Sequence, residues 1–405
     1  MKVAWLVSFL LLAVSADEGR EKGVSVVRGK HKKRGRQAAG RLWQLDGEDR
    51  GGSGTNNPLG DRRIAVVWTF NTELPYYFEL SLATLLKGGA DAVDVHVIAP
   101  SIPEIYTNGS NPYYRDMEQV FFHAVPAKEW KARVNVTLGV DLKYDLARTH
   151  RKSADLKPML GLLFQDLIPE SLYAYWVYCD SDGLYGSFNR LIDLSVLSLY
   201  DVVSGFPQAT GTVQVLAGTP LRCTGALTIL RNSPRVNNLF RRAVNWRAML
   251  LDGATVYAFD EHSRPVHSGE EDLHMVLEKS NDVRQCCTSN RQPLVKTGAN
   301  TVFLAEMMGR FVEMPNSTLT LRWIRGEGLT VNADGHYGFG EVYKNETVEA
   351  LFAHFLQWKY TCGEALTSAL RGITAHLRSR GQSPFDLQCL ELVGSYKHKM
   401  TWRFC

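Results

Sequence analysis

From residue 64 to residue 246 the sequence keeps changing between two periodicities, and few folds accommodate that change. IAVVWTF (64–70) is apolar without a break and rich in β-branched and aromatic residues, the mark of a strand buried on both faces. ELPYYFELSLATLLKGG (73–89) is apolar at helical spacing and stops at paired glycines. VDVHVIAP (93–100), FFHAV (121–125), YAYWVY (173–178), DVVSG (201–205) and TGALTILRN (224–232) read as further strands. KPMLGLLFQDLI (157–168) and PRVNNLFRRAVNW (234–246) read as helices. Strands alternating with helices predict an α/β fold with a mostly parallel central sheet flanked by helices, in which ligands sit beyond the carboxyl ends of the strands.

One strand ends in an unusual way. AYWVYCDSDGLYGSF (174–188) is an apolar run into which Asp180 and Asp182 are set one residue apart, followed by Gly183. In extended backbone both side chains point to one face and can converge on one cation, and hard oxygen ligands suit Mg²⁺ or Mn²⁺ with substrate phosphates completing the shell. The plainer reading is a turn, since Asp, Ser and Gly are turn formers. The carboxyl end of an apolar strand favours the cation.

Two chemistries use such a pair. DSDG looks like the opening of haloacid dehalogenase-type phosphatases, in which the first Asp is a nucleophile, but Leu184 stands where a Thr is usual and at least three strands precede it. The other is the DxD of glycosyltransferases, which holds a divalent ion against a nucleotide sugar. Five blocks in order favour the second. They are DLKPMLGLLFQDLIPESLYAYWVYCDSDGLYGSFNRLI (155–192), TGALTILRNSPRVNNLF (224–240), YAFDE (257–261), RWIRGEGLTV (322–331) and ALFAHFLQWK (350–359). Together with IAVVWTFNTELPYYFELSLATLL they resemble GT-A-like glycosyltransferases of capsule and surface-polysaccharide clusters, over about residues 62 to 360.

The resemblance implies a Rossmann-like GT-A fold, transfer of a sugar from a nucleotide-sugar donor to a glycan or glycoconjugate acceptor, and Mn²⁺ or Mg²⁺ as cofactor. Asp180 and Asp182 match the DxD, and His354 matches a late His that completes the metal site; alternatively, His354 packs in the core beside Phe352 and Phe355. Asp155 and Lys157 match an Asp-x-Lys-Pro, with Lys157 reaching the nucleotide or diphosphate, unless Pro158 simply starts a helix that the charges cap. Asp260 or Glu261 would take the acceptor's proton, or else serve as scaffold. Thr69, ending the first strand, lies where a base or ribose would rest. The match departs at Thr224-Gly225-Ala226, where the family carries Gly-His-Phe, and at PQATGTVQVLAGTPLRC (207–223), which has no counterpart. A non-catalytic glycan-binding descendant of the same fold is a further alternative.

Elsewhere the signals are local. HSGEEDLHM (267–275) reads as a capping box, Ser268 with Glu271, rather than a His/Glu metal site, and GEG (326–328) is too short to bind phosphate. MKVAWLVSFLLLAVSA (1–16) reads as a cleaved signal peptide, its apolar run being shorter than the roughly 20 residues of a spanning helix; no later window is apolar enough to span. Four sequons, at Asn108, Asn135, Asn316 and Asn345, agree with a secretory lumen or secretion.

Residues 20–36 carry eight Lys or Arg against one Glu, so in a chain of net charge +4 the basicity is local. Residues 17–60 therefore read as a disordered basic stem, a plain solvated linker with no nucleic-acid partner expected; a tether for nucleic acid or anionic surfaces, or a processing site at KHKKRGR, are its alternatives. Seven cysteines without a paired CxxC suit disulfides, leaving Cys179 in its apolar strand as the free thiol and Cys286 and Cys287 in separate bridges. The transferase domain spans 61–360, followed by one helix and a cysteine-pinned tail over 361–405. Retention in the lumen would then depend on the stem or a partner. Deleting residues 17–60 should move the protein from cells to medium if the stem retains it, and an unchanged distribution assigns retention elsewhere.

Overall fold

The computed structural model describes residues 58–107, 117–146, 149–204, 225–256, 259, 271–286, 301–306, 318–334, 347–354, 356–395 and 399–405. The signal peptide, nearly all of the stem, three of the four sequons, Cys223, Ser268 and Cys287 lie outside them, as do the side chains of Cys286, His354 and Cys362. Among the described residues no helix is long and apolar enough to cross a membrane.

The expected parallel sheet is present and carries the larger part of the core. β1 (Arg63–Thr69) leads into helix α1 (Phe78–Lys87) and then β2 (Val93–Ala99), β3 (Val120–Ala124), helix α2 (Ala127–Leu138) and β4 (Tyr173–Cys179). After a short strand β5 (Gly183–Tyr185), β6 (Val202–Ser204), β7 (Leu227–Arg231) and β8 (Gln285–Cys286) complete the sheet. The spatial order is β3-β2-β1-β4-β7-β6-β8, with β3, β2, β1 and β4 parallel and β7 antiparallel to both β4 and β6. β2 and β4 are buried at every position, which is why both read as continuous apolar runs rather than alternating ones.

Two expected helices are broken, each for a visible reason. Over 157–168 the chain forms a 3₁₀ segment (His150–Met159) containing Pro158, then one α-turn (Leu160–Leu163). Proline removes a helical donor. Trp176 presses so close that a Cβ on Gly161 would meet its ring at 2.4 Å. Over 234–246 the chain makes two short turns, Pro234–Asn237 and Leu239–Arg242, because Asn237 turns inward to accept from Trp176 Nε1 at 2.8 Å and to donate to Asn232 at 2.9 Å. The helix Leu273–Lys279 (α3) is capped by Asp272, which accepts from Met275 N–H at 2.8 Å; Glu271 instead accepts from Val244 N–H.

The last third forms a second sheet that the sequence reading did not foresee. β9 (Thr301–Glu306), β10 (Thr318–Ile324), β11 (Gly328–Asp334), β12 (Thr347–His354), β13 (Cys389–Ser395) and β14 (Lys399–Arg403) join β5 in the order β14-β13-β10-β11-β12-β5, with β9 on β12. Helix α4 (Leu356–Ser379) lays Leu366, Leu370, Ile373 and Leu377 on Leu321, Trp323, Leu390 and Leu392. The cysteine-pinned tail is the β13–β14 hairpin, closed by a Cys389–Cys405 disulfide, while Cys179 is a buried free thiol.

Near the amino ends of β1 and β4 a polar chain crosses the parallel sheet. Arg63 Nε pairs with Asp94 Oδ1 at 2.8 Å, and Tyr173 O–H donates to Asp94 Oδ2 at 3.1 Å. His96 Nε2 lies 3.0 Å from that hydroxyl, and its Nδ1 lies 3.1 Å from His123 Nε2. Since Tyr173 spends its proton on Asp94, His96 must be protonated at Nε2 and accept at Nδ1, so every bond from His123 to Asp94 points the same way. Burial, helped by His123, pushes His96 down to about 3, and burial also lowers His123. Unfolded imidazoles titrate near 6.5. The unfolded chain therefore takes up protons that the folded chain refuses, and stability falls as pH drops below about 6.5, by about 1.4 kcal/mol per pH unit for one such His. Chemical denaturation at pH 7.5 and 5.5 should show this loss, and His96→Gln should flatten it.

Candidate active site at the carboxyl ends of β1 and β4

β1 has β2 on one side and β4 on the other, so the winding reverses between β1 and β4, and the region beyond their carboxyl ends is where open α/β sheets bind ligands. The DSDG turn stands there. Beneath it, Trp68 Nε1 donates to Cys179 Sγ at 3.1 Å, and the Tyr185 hydroxyl, 3.2 Å from that sulfur, donates to Asp180 O at 2.5 Å. Burial pushes the Cys179 thiol up to about 12, which makes it an inert part of the floor.

Lys157 answers the repulsion expected between the aspartates. Its Nζ donates to Asp180 Oδ1 at 2.8 Å and to Gly225 O at 2.9 Å, while Asp180 N–H donates to Ala226 O at 3.0 Å. The sequence reading had Lys157 reaching a nucleotide or diphosphate; the partner it has here is the turn itself. Asp182 is only 6% exposed.

Helix α1 holds the turn through a polar stripe that reading the sequence missed. Tyr77, at its N-cap, faces both carboxylates and is hydrogen-bonded to the Ser181 side chain; burial first, then Asp182 and Asp180, raise its phenol well above the usual range. One turn on, Ser81 donates to Gly183 O at 2.8 Å, and Thr84 accepts from Tyr185 N–H at 3.1 Å. Residues 77, 81 and 84 follow i, i+4, i+7 and so share one helix face. Two buried hydroxyls at that spacing inside an otherwise apolar helix were the available signal.

From the other side β12 pairs antiparallel with β5, placing Phe352 opposite Tyr185, Ala353 opposite Leu184 and His354 opposite Gly183. The backbones approach so closely that a Cβ on Gly183 would lie 2.3 Å from Ala353 O, and one on Gly186 2.0 Å from Ala350 O. His354 is therefore brought in register with the residue after Asp182. Thr69 ends β1 on the same rim, followed by the buried Asn71.

Asp155 is fully buried, where it accepts from Lys152 Nζ at 2.7 Å and from Phe259 N–H at 3.0 Å. Lys152 also donates to Met249 O and Thr255 O, both at 2.8 Å. Asp155 thereby ties the segment leading to Lys157 to Phe259. Asp260 and Glu261, next in sequence, lie outside the described residues. Among the described residues no three His, Cys, Asp or Glu side chains cluster as a metal-ligand set. The donor chemistry at the turn, two carboxylates with an imidazole-bearing residue in register, is nonetheless of the kind that takes a hard divalent cation.

Residues 104–365 match the family of unknown function DUF6625, and the chain belongs to that family. No curated protein is matched by the sequence. Among solved structures the chain is similar to the glycosyltransferase GlyE of Streptococcus pneumoniae, at 12% identity and a TM-score of 0.27, over 54% of this chain and 43% of that one, so it spans less than half of that protein's length. It is also similar to mouse xyloside xylosyltransferase 1, at 11% identity and a TM-score of 0.30, over 54% and 81% of the two chains. For glucosyl-3-phosphoglycerate synthase from Mycobacterium tuberculosis, solved with Mg²⁺ and uridine diphosphate, the values are 13% and 0.22, over 42% and 57%.

The close approach of β12 yields a test of this assembly. Gly183→Ala would drive a methyl into the Ala353 carbonyl and the Phe352 ring, neither of which can retreat from the buried interface. It should cost about 3 kcal/mol or more in denaturant unfolding. A loss under 1 kcal/mol would mean that β12 does not clamp the turn.

Proposed function

We propose that this chain is a glycosyltransferase of GT-A type, which moves a sugar from a nucleotide-sugar donor to a glycan or glycoconjugate acceptor in the lumen of the secretory pathway. The observation that carries the reading is the placement of the Asp180-Ser181-Asp182-Gly183 turn at the reversal between β1 and β4, fixed by α1, Lys157 and β12.

In this reading Asp180 and Asp182, with His354 beside them, would hold Mn²⁺ or Mg²⁺. The ion would supply positive charge against the departing nucleotide diphosphate. Lys157 adds a fixed point charge at the same place, tethered to Gly225 O. Thr69 and the residues after it border the nucleotide. The acceptor hydroxyl has a pKa far above neutrality, so its proton must pass to a base as the anomeric carbon is attacked, and Asp260 or Glu261 fills that role. Asp155, through Phe259 N–H, fixes the start of that segment and acts on the chemistry only through it.

The full chain should be titrated with UDP-, GDP- and CMP-sugars, with Mn²⁺ and with chelator, while its unfolding temperature is followed. A ligand that binds only the folded state at about 100 times its Kd adds about 2.7 kcal/mol. One nucleotide class should raise the melting temperature only with metal, and Asp182→Asn should abolish the shift. No shift with any nucleotide sugar overturns the reading.

A further inference from the structure

Asp180 already has a cation. Lys157 Nζ sits 2.8 Å from its Oδ1, and the two side chains are only 16% and 29% exposed. At such a site charges are less screened than in water. The ammonium is also not free to swing away, because Gly225 O holds it at 2.9 Å. A divalent ion drawn to the two aspartates must therefore approach a fixed positive charge and compete with it for Asp180. The same lysine that relieves the repulsion between Asp180 and Asp182 opposes the ion they would share.

We propose that Lys157 is the resident counter-cation of the DSDG turn, and that divalent-metal binding there is an exchange in which Lys157 gives up Asp180. The released ammonium stays near the ion through Gly225, and its favourable partner is then an anionic group such as a diphosphate. Metal alone binds weakly, because it must displace the lysine. Metal with a nucleoside diphosphate binds well, because the lysine gains a new partner. Lys157 thereby couples the two ligands, and by reciprocity each should raise the affinity of the other by the same factor. The inference rests on the proposed function in taking the DSDG turn as the cation site.

The test uses MnCl₂ alone, with free Mn²⁺ read by electron paramagnetic resonance, on the full chain and on Lys157→Met and Lys157→Arg. Removing the charge should tighten Mn²⁺ binding by about tenfold or more, whereas the charge-preserving arginine should bind like the unsubstituted chain. Asp182→Asn should remove binding in either background. A purely structural lysine would produce equal or weaker binding in Lys157→Met, and that result overturns the proposal, as does absence of Mn²⁺ binding in every variant.

Should Lys157→Met not fold, acetic anhydride labelling of the unsubstituted chain decides. Mn²⁺ should speed acetylation of Lys157 several-fold as its bridge opens, and an unchanged rate overturns the exchange. Adding uridine diphosphate separates this inference from the donor reading. Tighter Mn²⁺ in Lys157→Met without any nucleotide binding sustains the exchange and sinks the donor site; nucleotide binding with no gain in Lys157→Met does the reverse.

Discussion

Two carboxylates one residue apart at the end of a buried strand would repel each other and draw in water, unless the surrounding chain supplied opposite charge and hydrogen-bond donors. Here the opposite charge comes from Lys157, in the 3₁₀ segment before β4. The backbone after the two aspartates is held by Ser81 and Thr84 of α1 and by β12 of the second sheet. Each of these is fixed in turn by its own packing. The turn is therefore where the parallel sheet, its first helix and the second sheet are tied together.

α1 shows how one helix serves both halves. Phe78, Leu82 and Leu85 face the core of the parallel sheet, while Tyr77 and Leu80 pack against the core under the second sheet. Its polar stripe lies along the line between the two, where the turn runs. A helix buried on so many sides cannot show a simple amphipathic pattern, and its hydroxyls look incidental until their partners are known. Gly88 and Gly89 end it where the backbone must pass close to Gly186 and Ser187.

The sequence was most informative where local pattern and tertiary role agree. The buried strands read correctly because burial on both faces leaves an uninterrupted apolar run, whereas the order of the strands, and with it the reversal between β1 and β4, is visible only in the fold. Lys157 stood out as part of a motif, but the sequence pointed it at a nucleotide or diphosphate and gave no sign of its ion pair with Asp180. The broken helices were missed because Trp176, which lies outside both segments, overrides local propensity by its contacts with Gly161 and Asn237. The second sheet was missed because β12 is its hub and takes partners far away in sequence, β9 in parallel and β5 antiparallel, whose register no local pattern shows. Asp155 was expected at the ligand surface, but a buried carboxylate that accepts from Lys152 and a backbone N–H has the same sequence appearance.

The order of the chain adds a constraint of its own. β5 follows the turn at once, yet its partner β12 comes more than 150 residues later and is continuous with α4, whose apolar face covers the sheet that β13 and β14 extend. The glycines at 183 and 186 leave room for that late strand, so without β12 they would be sites of excess backbone freedom in the very turn that must hold two charges together. Geometry at Asp180 and Asp182 thus depends on residues near the carboxyl end of the chain, and the disulfide that closes the β13–β14 hairpin belongs to the support of the site as much as to the tail. The turn carries the paired carboxylates, but its rigidity comes from the whole described fold.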